Sequence, residues 1–306
     1  MSQFTCTVTP ARAGQTVEAV LRAEFHFSGS LWRSLKWRAG ALRRNGARAR
    51  ANERVAAGDI LAVTVDERRP PSGAVLPCAV KPDIVFEDEH LLVLNKPAGL
   101  SMHDKSRPGA PTLAGAVRAY LGAEHAAHFV NRLDRGTSGL LLAAKSGYLH
   151  DRLRRALHTG ALYREYRGIA AGVPPESRGA VTLPLGPAEG AVYRQCVRPD
   201  GKEAYTEYEV LFAAGGCALL RLIPHTGRTH QLRVHMAALG CPLLGDTLYG
   251  APPGTCIDRP ALHAYLLRFT HPMTGATLCF TAPLPPDMAA LPVAGGESPG
   301  RARSSY

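Results

Sequence analysis

The sequence has few of the features that stabilise secreted proteins or anchor proteins in membranes. Its 7 cysteines are scattered without a Cys-x-x-Cys pair, and an odd number does not complete a disulfide framework. The N-terminal residues show no charged segment followed by an apolar core, and no apolar run approaches the roughly 20 residues that span a bilayer. We therefore expect reduced thiols, a cytoplasmic location and no membrane association.

Acidic residues are also scarce relative to basic ones. The 306 residues include 25 Asp and Glu against 36 Lys and Arg, which gives a formal charge of +11 and a pI near 9.6. Such a surplus of positive charge favours a polyanionic partner such as RNA. The length allows one large domain with a sizeable core and a smaller appended module.

The most informative stretch runs from Phe129 to Lys145 and places one acid, Asp134, between Arg132 and Arg135. The apolar run that follows is typical of a buried strand. Positive charges nearby favour the ionised carboxylate, which suits a nucleophile or base better than a general acid. An Asp before Gly-Thr-Ser is also a common turn former. The spacing alone leaves both interpretations open.

A second stretch, residues 224–236, reads Pro-His-Thr-Gly-Arg-Thr-His-Gln-Leu-Arg-Val-His-Met. Leu232 and Met236 are four residues apart and a glycine follows at 240, so a helix is predicted to begin within the stretch. Arg228 would then lie one turn before Leu232 on the same helix face. The two side chains could enter a pocket together.

Three histidines in this stretch raise the question of a metal site. His225, His230 and His235 are spaced by five residues, which on a helix turns successive side chains well away from a common face. No Cys pair or His-Glu-x-x-His pattern accompanies them. We therefore predict no metal site here.

Both stretches resemble signatures of one enzyme family. The run Arg-Leu-Asp-Arg-Gly-Thr-Ser-Gly-Leu-Leu-Leu, which begins at Arg132, is similar to that of the RluA-type pseudouridine synthases, and the second stretch resembles their later signature. The resemblance implies that Asp134 is the catalytic residue and that Arg228, the first Arg of the later signature, pairs with it. Leu232 would form a wall of the pocket, and Arg132 would fill the space left by the target base or grip the RNA backbone.

The resemblance also implies that a strand supplies an aromatic side chain to the site. Residues 163–170 alternate as a strand does and contain two tyrosines. The family pattern of a basic residue, any residue and then Tyr selects Tyr166 over Tyr163. One departure from the family is Asn131, where His is frequent, and we expect this change to affect packing more than chemistry.

The resemblance covers nearly the whole chain and implies an α+β fold. We expect a large, mainly antiparallel sheet with flanking helices and a central cleft, plus a small N-terminal α/β RNA-binding domain. That module resembles the S-four-like RNA-binding domain, with an Asn45-Gly46 turn and Gly58-Asp59 before its last strand. The expected domains are 1–66 for this module, 67–82 for a linker, 83–285 for the catalytic domain and 286–306 for a disordered tail.

The implied reaction is the isomerisation of uridine to pseudouridine in structured RNA, without a cofactor. Asp134 would act as a nucleophile at ribose carbon 1′ or as a base at the sugar, and the sequence leaves both roles open. We expect a monomer that acts on ribosomal RNA rather than transfer RNA. Two alternatives are an RNA-binding protein of ribosome assembly without chemistry and a base-excising glycosidase, which normally needs a second acid.

Overall fold

The structure is a computed structural model, and it describes residues 2–27, 29–65, 75–103, 109–122, 127–191, 193–253 and 257–296. The strands are β1 (Ser2–Thr7), β2 (Leu42–Arg44), β3 (Ala47–Arg48), β4 (Ile60–Val65), β5 (Ile84–Glu87), β6 (Leu91–Lys96), β7 (His128–Phe129), β8 (Ser138–Ala144), β9 (Tyr163–Ala171), β10 (Arg178–Val181), β11 (Leu185–Pro187), β12 (Gln195–Val197), β13 (Thr206–Ala214), β14 (Cys217–Pro224), β15 (Leu262–Thr270) and β16 (Thr277–Thr281). The helices are α1 (Val17–Phe25), α2 (Gly29–Lys36), α3 (Leu113–Leu121), α4 (Gly147–His158), α5 (Gln231–Ala238) and α6 (Pro286–Ala289).

Residues 2–27 and 29–65 form a small module around an antiparallel sheet in the order β1-β4-β2-β3. The predicted turn between β2 and β3 is confirmed, with Asn45 and Gly46 at φ values of 49° and 80°. The Asn45 side chain donates to Asp59 Oδ1 at 2.8 Å and accepts from Ile60 N at 2.8 Å. Arg44 completes the cluster through an ion pair with Asp59 at 2.7 Å. These bonds fasten the basic hairpin to the start of β4.

An aromatic cluster joins this module to the larger part of the chain. The Tyr148 ring, at the start of α4, lies with its centroid 4.5 Å from that of Phe4 and 5.2 Å from that of Phe27. All three side chains are buried. Burial of this much aromatic surface stabilises the contact, because each such ring removes roughly 150–250 Å² from water.

A second sheet dominates the rest of the described chain. Its path is β10-β13-β14-β9-β15-β8-β6-β5, with β16 paired to β15 and β7 paired to β8. Neighbouring strands are antiparallel except β8 and β15, which run parallel where His263 lies opposite Ser138. The expectation of an α+β fold with a large, mainly antiparallel sheet is confirmed.

Strand β8 is buried on both faces, which explains its continuous apolar sequence. Leu140, Leu142 and Ala144 pack in one core cluster, while Leu141 and Ala143 pack in another on the opposite face. Successive side chains of a strand point to opposite faces, so a strand inside a covered sheet needs apolar residues at every position. The segment before β8 is thereby held between two cores.

The helices next to this sheet begin at residues whose side chains cap them. Thr112 Oγ1 accepts from Gly115 N at 3.0 Å at the start of α3, and Ser146 Oγ accepts from Leu149 N at 3.2 Å at the start of α4. Such bonds satisfy amide groups that the first helical turn leaves without partners.

The structure corrects the expected start of the C-terminal tail. Residues 286–289 form α6, and the apolar side chains of Met288, Leu291 and Val293 are buried in a cluster that includes Ile169 of β9. The surrounding sequence is rich in Pro, Ala and Gly, and these three apolar side chains attach the segment to the sheet. Residues 297–306, and residues 67–74 of the expected linker, lie outside the described residues.

No helix in the described ranges combines the length and the apolar character that crossing a membrane requires.

Gly139 allows the close approach of β8 and β15, and its replacement should destabilise the fold. Its φ is +108°, and a Cβ built there would lie 2.3 Å from the Ala264 carbonyl oxygen. Strain and overpacking together predict that Gly139→Ala lowers the free energy of unfolding by about 2–5 kcal/mol. Gly160 (φ +78°) has open space around its Cβ position, so Gly160→Ala should cost only about 1 kcal/mol. Urea unfolding of both variants tests this, and equal losses would contradict the steric argument.

Candidate active site

An open cleft of about 580 Å³ is lined chiefly by the turn before β8, the strand β9 and the loop that leads from β14 into α5. Residues 101–103 and side chains of α4 also contribute to it. The lining includes all five side chains that the sequence indicated as site residues, namely Arg132, Asp134, Tyr166, Arg228 and Leu232. The fold therefore brings together residues that are up to about a hundred positions apart in the sequence.

Asp134 lies in a turn that the buried Lys96 braces from behind. The Lys96 ammonium donates to the carbonyl oxygens of Pro97 at 2.8 Å, Leu100 at 2.9 Å and Arg135 at 3.3 Å. Gly99 N also donates to Arg135 O at 2.8 Å. Burial lowers the pKa of Lys96 to about 8, although the nearby Asp134 carboxylate opposes this shift. The turn is thus fixed to the end of β6, and the Asp134 side chain remains 29% exposed.

The cation that faces Asp134 is Arg233. Its Nη1 lies 3.7 Å from Asp134 Oδ2, while its Nε and Nη2 each donate to a carboxylate oxygen of Asp246 at 2.7 Å. The Arg233 guanidinium also lies over the Tyr249 ring, 4.9 Å from the centroid. Burial by itself would lower the pKa of Arg233, but the hydrogen bonds to Asp246 raise it. A permanent positive charge therefore stands beside Asp134.

This arrangement corrects the expected pairing of Asp134 with Arg228. Helix α5 begins at Gln231, so Arg228 lies in the preceding loop and not on the helix face of Leu232. The Arg228 Nε donates to Glu203 O at 2.8 Å. Arg233 lies in the first turn of α5, where the helix points it at the Asp134 turn. The sequence signal for Arg233 was its place in the later signature, but periodicity alone did not locate the start of the helix.

Gln231 fixes the loop that carries Arg228. Its Oε1 accepts from Thr226 Oγ1 at 2.7 Å and from Arg228 N at 3.0 Å, and its Nε2 donates to Tyr205 O at 3.0 Å. One buried amide therefore satisfies several polar groups of the loop and of the start of β13. The adjacent His230 adopts a left-handed conformation with φ 56°, uncommon for a residue other than glycine. Such backbone strain is often found at functional sites.

The structure distinguishes between the two tyrosines of β9. Tyr166 is buried and lines the cleft, and burial raises the pKa of its phenol. Tyr163 belongs to the opposite face of the strand, where its hydroxyl donates to Glu165 Oε2 at 2.9 Å and its ring lies against Arg268. Alternation along the strand explains the difference, because residues three apart face opposite sides. Of the two tyrosines, Tyr166 is the one in the lining of the cleft.

Asn131, the departure from the family signature, has a structural contact. Its Oδ1 accepts from Leu142 N at 2.9 Å, and the side chain is buried. This bond ties the start of the Asp134 turn to the backbone of β8. Asn131 thus contributes to the packing of the turn.

The three histidines of the second stretch have different partners. His225 stacks on Tyr205 with ring centroids 4.4 Å apart, His230 Nδ1 lies 2.8 Å from Tyr249 Oη, and His235 Nδ1 lies 2.9 Å from Thr206 Oγ1. Among the residues that the structure describes, no group of three His, Cys, Asp or Glu side chains could hold a metal ion.

The charge of the cleft is strongly positive. The described lining contains a single carboxylate, Asp134, and six arginines, which are Arg132, Arg135, Arg154, Arg164, Arg228 and Arg233. Arg164 was not indicated by the sequence, and its Nη2 donates to Pro224 O at 3.0 Å. A basic cleft with one acid suits a polyanionic ligand.

Comparison with known proteins identifies similar sequences of one enzyme family. The profile of the RNA pseudouridylate synthase family matches residues 90–238. The uncharacterized RNA pseudouridine synthase YjbO of Bacillus subtilis is 38% identical over 271 residues, which is 88% of this chain and 95% of that protein. The ribosomal large subunit pseudouridine synthase D of Vibrio parahaemolyticus is 41% identical over 229 residues, which is 68% of this chain and 69% of that protein.

Solved structures agree with these relatives. Human RNA pseudouridylate synthase domain containing 1 is 29% identical with a TM-score of 0.56, over 68% of this chain and 86% of that one. Human RNA pseudouridylate synthase domain containing 4 is 26% identical with a TM-score of 0.55, over 68% of this chain and 90% of that one. The fold, the match over the two motifs that form the cleft and the full-length relatives lead to one conclusion: this chain belongs to the RNA pseudouridine synthase family.

Proposed function

We propose that the chain converts uridine to pseudouridine in ribosomal RNA with Asp134 as its single catalytic carboxylate. The observation that carries this proposal is the position of Asp134. It is the one acid in the described lining of the cleft, it is 29% exposed, and the Arg233 guanidinium lies 3.7 Å away. A partly exposed carboxylate beside a fixed cation is accessible to a ribose, and the cation stabilises its negative charge.

The reaction transfers the ribose from one atom of uracil to another. The bond between carbon 1′ and nitrogen 1 breaks, a bond between carbon 1′ and carbon 5 forms, carbon 5 loses a proton and nitrogen 1 gains one. Nothing is oxidised, so no redox cofactor is needed. Asp134 contributes either by attack at carbon 1′ or by removal of a sugar proton, and both roles need its charged form.

The remaining cleft residues suit a base that has left its stack. Unstacking costs a few kcal/mol, which contacts in the pocket must offset. Tyr166 and Leu232 offer apolar surface to uracil, and stacking on an aromatic ring is worth about 1–3 kcal/mol. Arg132 is exposed beside Asp134, where it can occupy the vacated space or bind a phosphate. These contacts retain the cleaved base until carbon 5 is joined.

A base-excising glycosidase is the alternative that the cleft disfavours. Such enzymes normally use two carboxylates about 5–10 Å apart, one as acid and one as base or nucleophile. The described lining supplies Asp134 alone, since Asp246 is buried and engaged by Arg233. Free uracil among the products would favour the glycosidase.

Ribosomal RNA is the proposed target for two reasons. Relatives with 38–41% identity are named ribosomal large subunit pseudouridine synthase D, including that of Vibrio parahaemolyticus. The N-terminal module, which we propose is S-four-like, presents exposed arginines at positions 33, 38, 43, 48 and 50. Such side chains would bind phosphates and add affinity without reading sequence. We propose a cytoplasmic, monomeric enzyme.

Replacement of Asp134 by Asn should abolish pseudouridine formation. Asn keeps the shape of Asp but can neither attack carbon 1′ nor accept a proton as a carboxylate does. Turnover should fall by at least about 10⁴-fold, the order seen when a catalytic nucleophile is removed. Product is measured by nucleoside analysis of RNA after single-turnover reactions.

Folding and RNA affinity serve as controls for this variant. The thermal midpoint and the filter-binding Kd should stay close to those of the parent, because the Asp134 turn is held through Arg135 O, which accepts from Lys96 Nζ and Gly99 N. If Asp134→Asn binds RNA normally and still forms pseudouridine at an appreciable fraction of the parent rate, the proposed role of Asp134 is wrong.

The RNA target can be identified in cells that lack the gene. Pseudouridine mapping should show the loss of one or a few sites in ribosomal RNA and their return when the parent gene is supplied. The Asp134→Asn gene should not restore them. Loss confined to transfer RNA would refute the ribosomal target while leaving the catalytic proposal intact.

The charge of the N-terminal module should affect affinity and not chemistry. The triple variant Arg33→Gln, Arg43→Gln, Arg48→Gln should raise the Kd for RNA and reduce the slope of log Kd against log salt by up to about 2–3, because fewer counterions are released. The rate at saturating RNA should be unchanged.

Substitution tests this better than deletion, since removal of the module would expose Tyr148. As a control, Arg22→Gln removes an arginine that already pairs with Glu18 at 3.3 Å and should change the slope less. A triple variant with the parent's salt slope would contradict the proposed role of the module.

A further inference from the structure

Asp246 is the buried partner of the cation that faces Asp134. Its side chain is 1% exposed, and its two oxygens accept from Nε and Nη2 of Arg233, both at 2.7 Å. This bidentate geometry uses one whole edge of the guanidinium. Only Nη1 remains directed at Asp134, at 3.7 Å, which is beyond hydrogen-bonding distance.

Tyr249 restrains the same guanidinium from its face. The ring centroid lies 4.9 Å from the Arg233 guanidinium carbon. The Tyr249 hydroxyl accepts from Gln195 N at 2.9 Å and lies 2.8 Å from His230 Nδ1. The ring is therefore tied both to strand β12 and to the residue that precedes α5. A cation held at one edge and one face has little freedom to turn.

The backbone around Gly245 places Asp246 under Arg233. Gly245 has φ +71°, and a Cβ built there would lie 2.2 Å from Arg259 O and 2.5 Å from Ile257 O. Only glycine fits this close approach of two chain segments. Asp246 N then donates to Leu243 O at 3.0 Å, which completes a tight turn after the buried Leu243.

This geometry solves a problem that an arginine next to a catalytic carboxylate creates. A guanidinium free to turn would form a bidentate pair with Asp134, because that pairing is the strongest available. Both Asp134 oxygens would then be occupied and turned away from the ribose. With one edge engaged by Asp246, Arg233 supplies positive charge to Asp134 without covering its oxygens.

We propose that Asp246 and Tyr249 are positioning residues that hold Arg233 so that it stabilises the charge of Asp134 and leaves the carboxylate oxygens open to the ribose. This inference rests on the proposed function of Asp134. Neither residue lies in a position to touch the reacting atoms, since both act through Arg233. Their loss should therefore reduce turnover and leave substrate binding unchanged.

The first test is Asp246→Asn, which keeps the size of the side chain. Its amide NH₂ cannot accept from the guanidinium, so Arg233 is released towards Asp134. The rate of pseudouridine formation at saturating RNA should fall by about 100-fold, as displacements of about 1 Å in a catalytic group do. KM and the filter-binding Kd should stay within about twofold of the parent. A parent-like rate in a folded Asp246→Asn protein would overturn the role of Asp246.

The matched control is Glu209→Gln. Like Asp246→Asn, it replaces an arginine-paired carboxylate by an amide, but its two arginine partners lie elsewhere. Glu209 is 15% exposed and pairs with Arg178 and Arg221, none of which lines the cleft. This variant should melt at a lower temperature than the parent but keep the parent's rate. If Glu209→Gln loses rate as Asp246→Asn does, the loss reflects general destabilisation and the proposal fails.

A double-mutant cycle shows whether Asp246 acts through Arg233. Arg233→Lys keeps the charge but cannot form the bidentate pair. In the Arg233→Lys background, Asp246→Asn should reduce the rate by no more than about a further twofold, because the bidentate pair between residues 233 and 246 is already lost. Multiplicative losses in the double variant would refute a role through Arg233.

Tyr249→Leu provides a second test of whether Arg233 must be held in place, and it is available if Asp246→Asn does not fold. Leu removes the flat face under the guanidinium and the hydroxyl, and the rate should fall by about tenfold or more, with the Kd unchanged. A folded Tyr249→Leu with the parent's rate would overturn the role of Tyr249. Failure of the proposed function itself would look different, because the parent enzyme would then form no pseudouridine.

Discussion

The guanidinium of Arg233 lies between two carboxylates, those of Asp246 and Asp134, and its distances to them differ. Asp246 is bound through two hydrogen bonds of 2.7 Å, whereas Asp134 lies 3.7 Å away. A buried arginine without a partner would be costly, and a buried Asp246 without Arg233 equally so. Each side chain therefore depends on the other. The partly exposed carboxylate of Asp134 faces the remaining nitrogen, Nη1, and the proposed mechanism depends on this unequal division.

The sheet provides the rigidity that this division requires. The Asp134 turn is attached to β8, which is buried on both faces, and is braced by the Lys96 ammonium through three carbonyl oxygens. On the other side, Gln231 fastens the start of α5 to β13. The two charged groups thus belong to separate, fixed elements, and the sheet sets the distance between those elements.

Much of this could be predicted from the sequence, and the exceptions have physical causes. The apolar run after Asp134 and the turn at Asn45-Gly46 are local signals, and both predictions are confirmed. Arg233 was missed because the partner of Asp134 was inferred from the resemblance and assigned to Arg228, whereas α5 begins only at Gln231 and leaves Arg228 in the preceding loop. The apolar spacing of the last described residues was overlooked because their composition is that of a tail.

The arginines of the cleft differ in how firmly their side chains are held. Arg164 donates to the carbonyl of Pro224, Arg228 to that of Glu203, and Arg233 to Asp246, so these three are fixed parts of the wall. A fixed guanidinium loses little further conformational entropy on binding and recognises shape. Arg132, in contrast, is an exposed part of the lining next to Asp134. The described lining thus combines three arginines held by hydrogen bonds with the exposed Arg132, and its single carboxylate is Asp134.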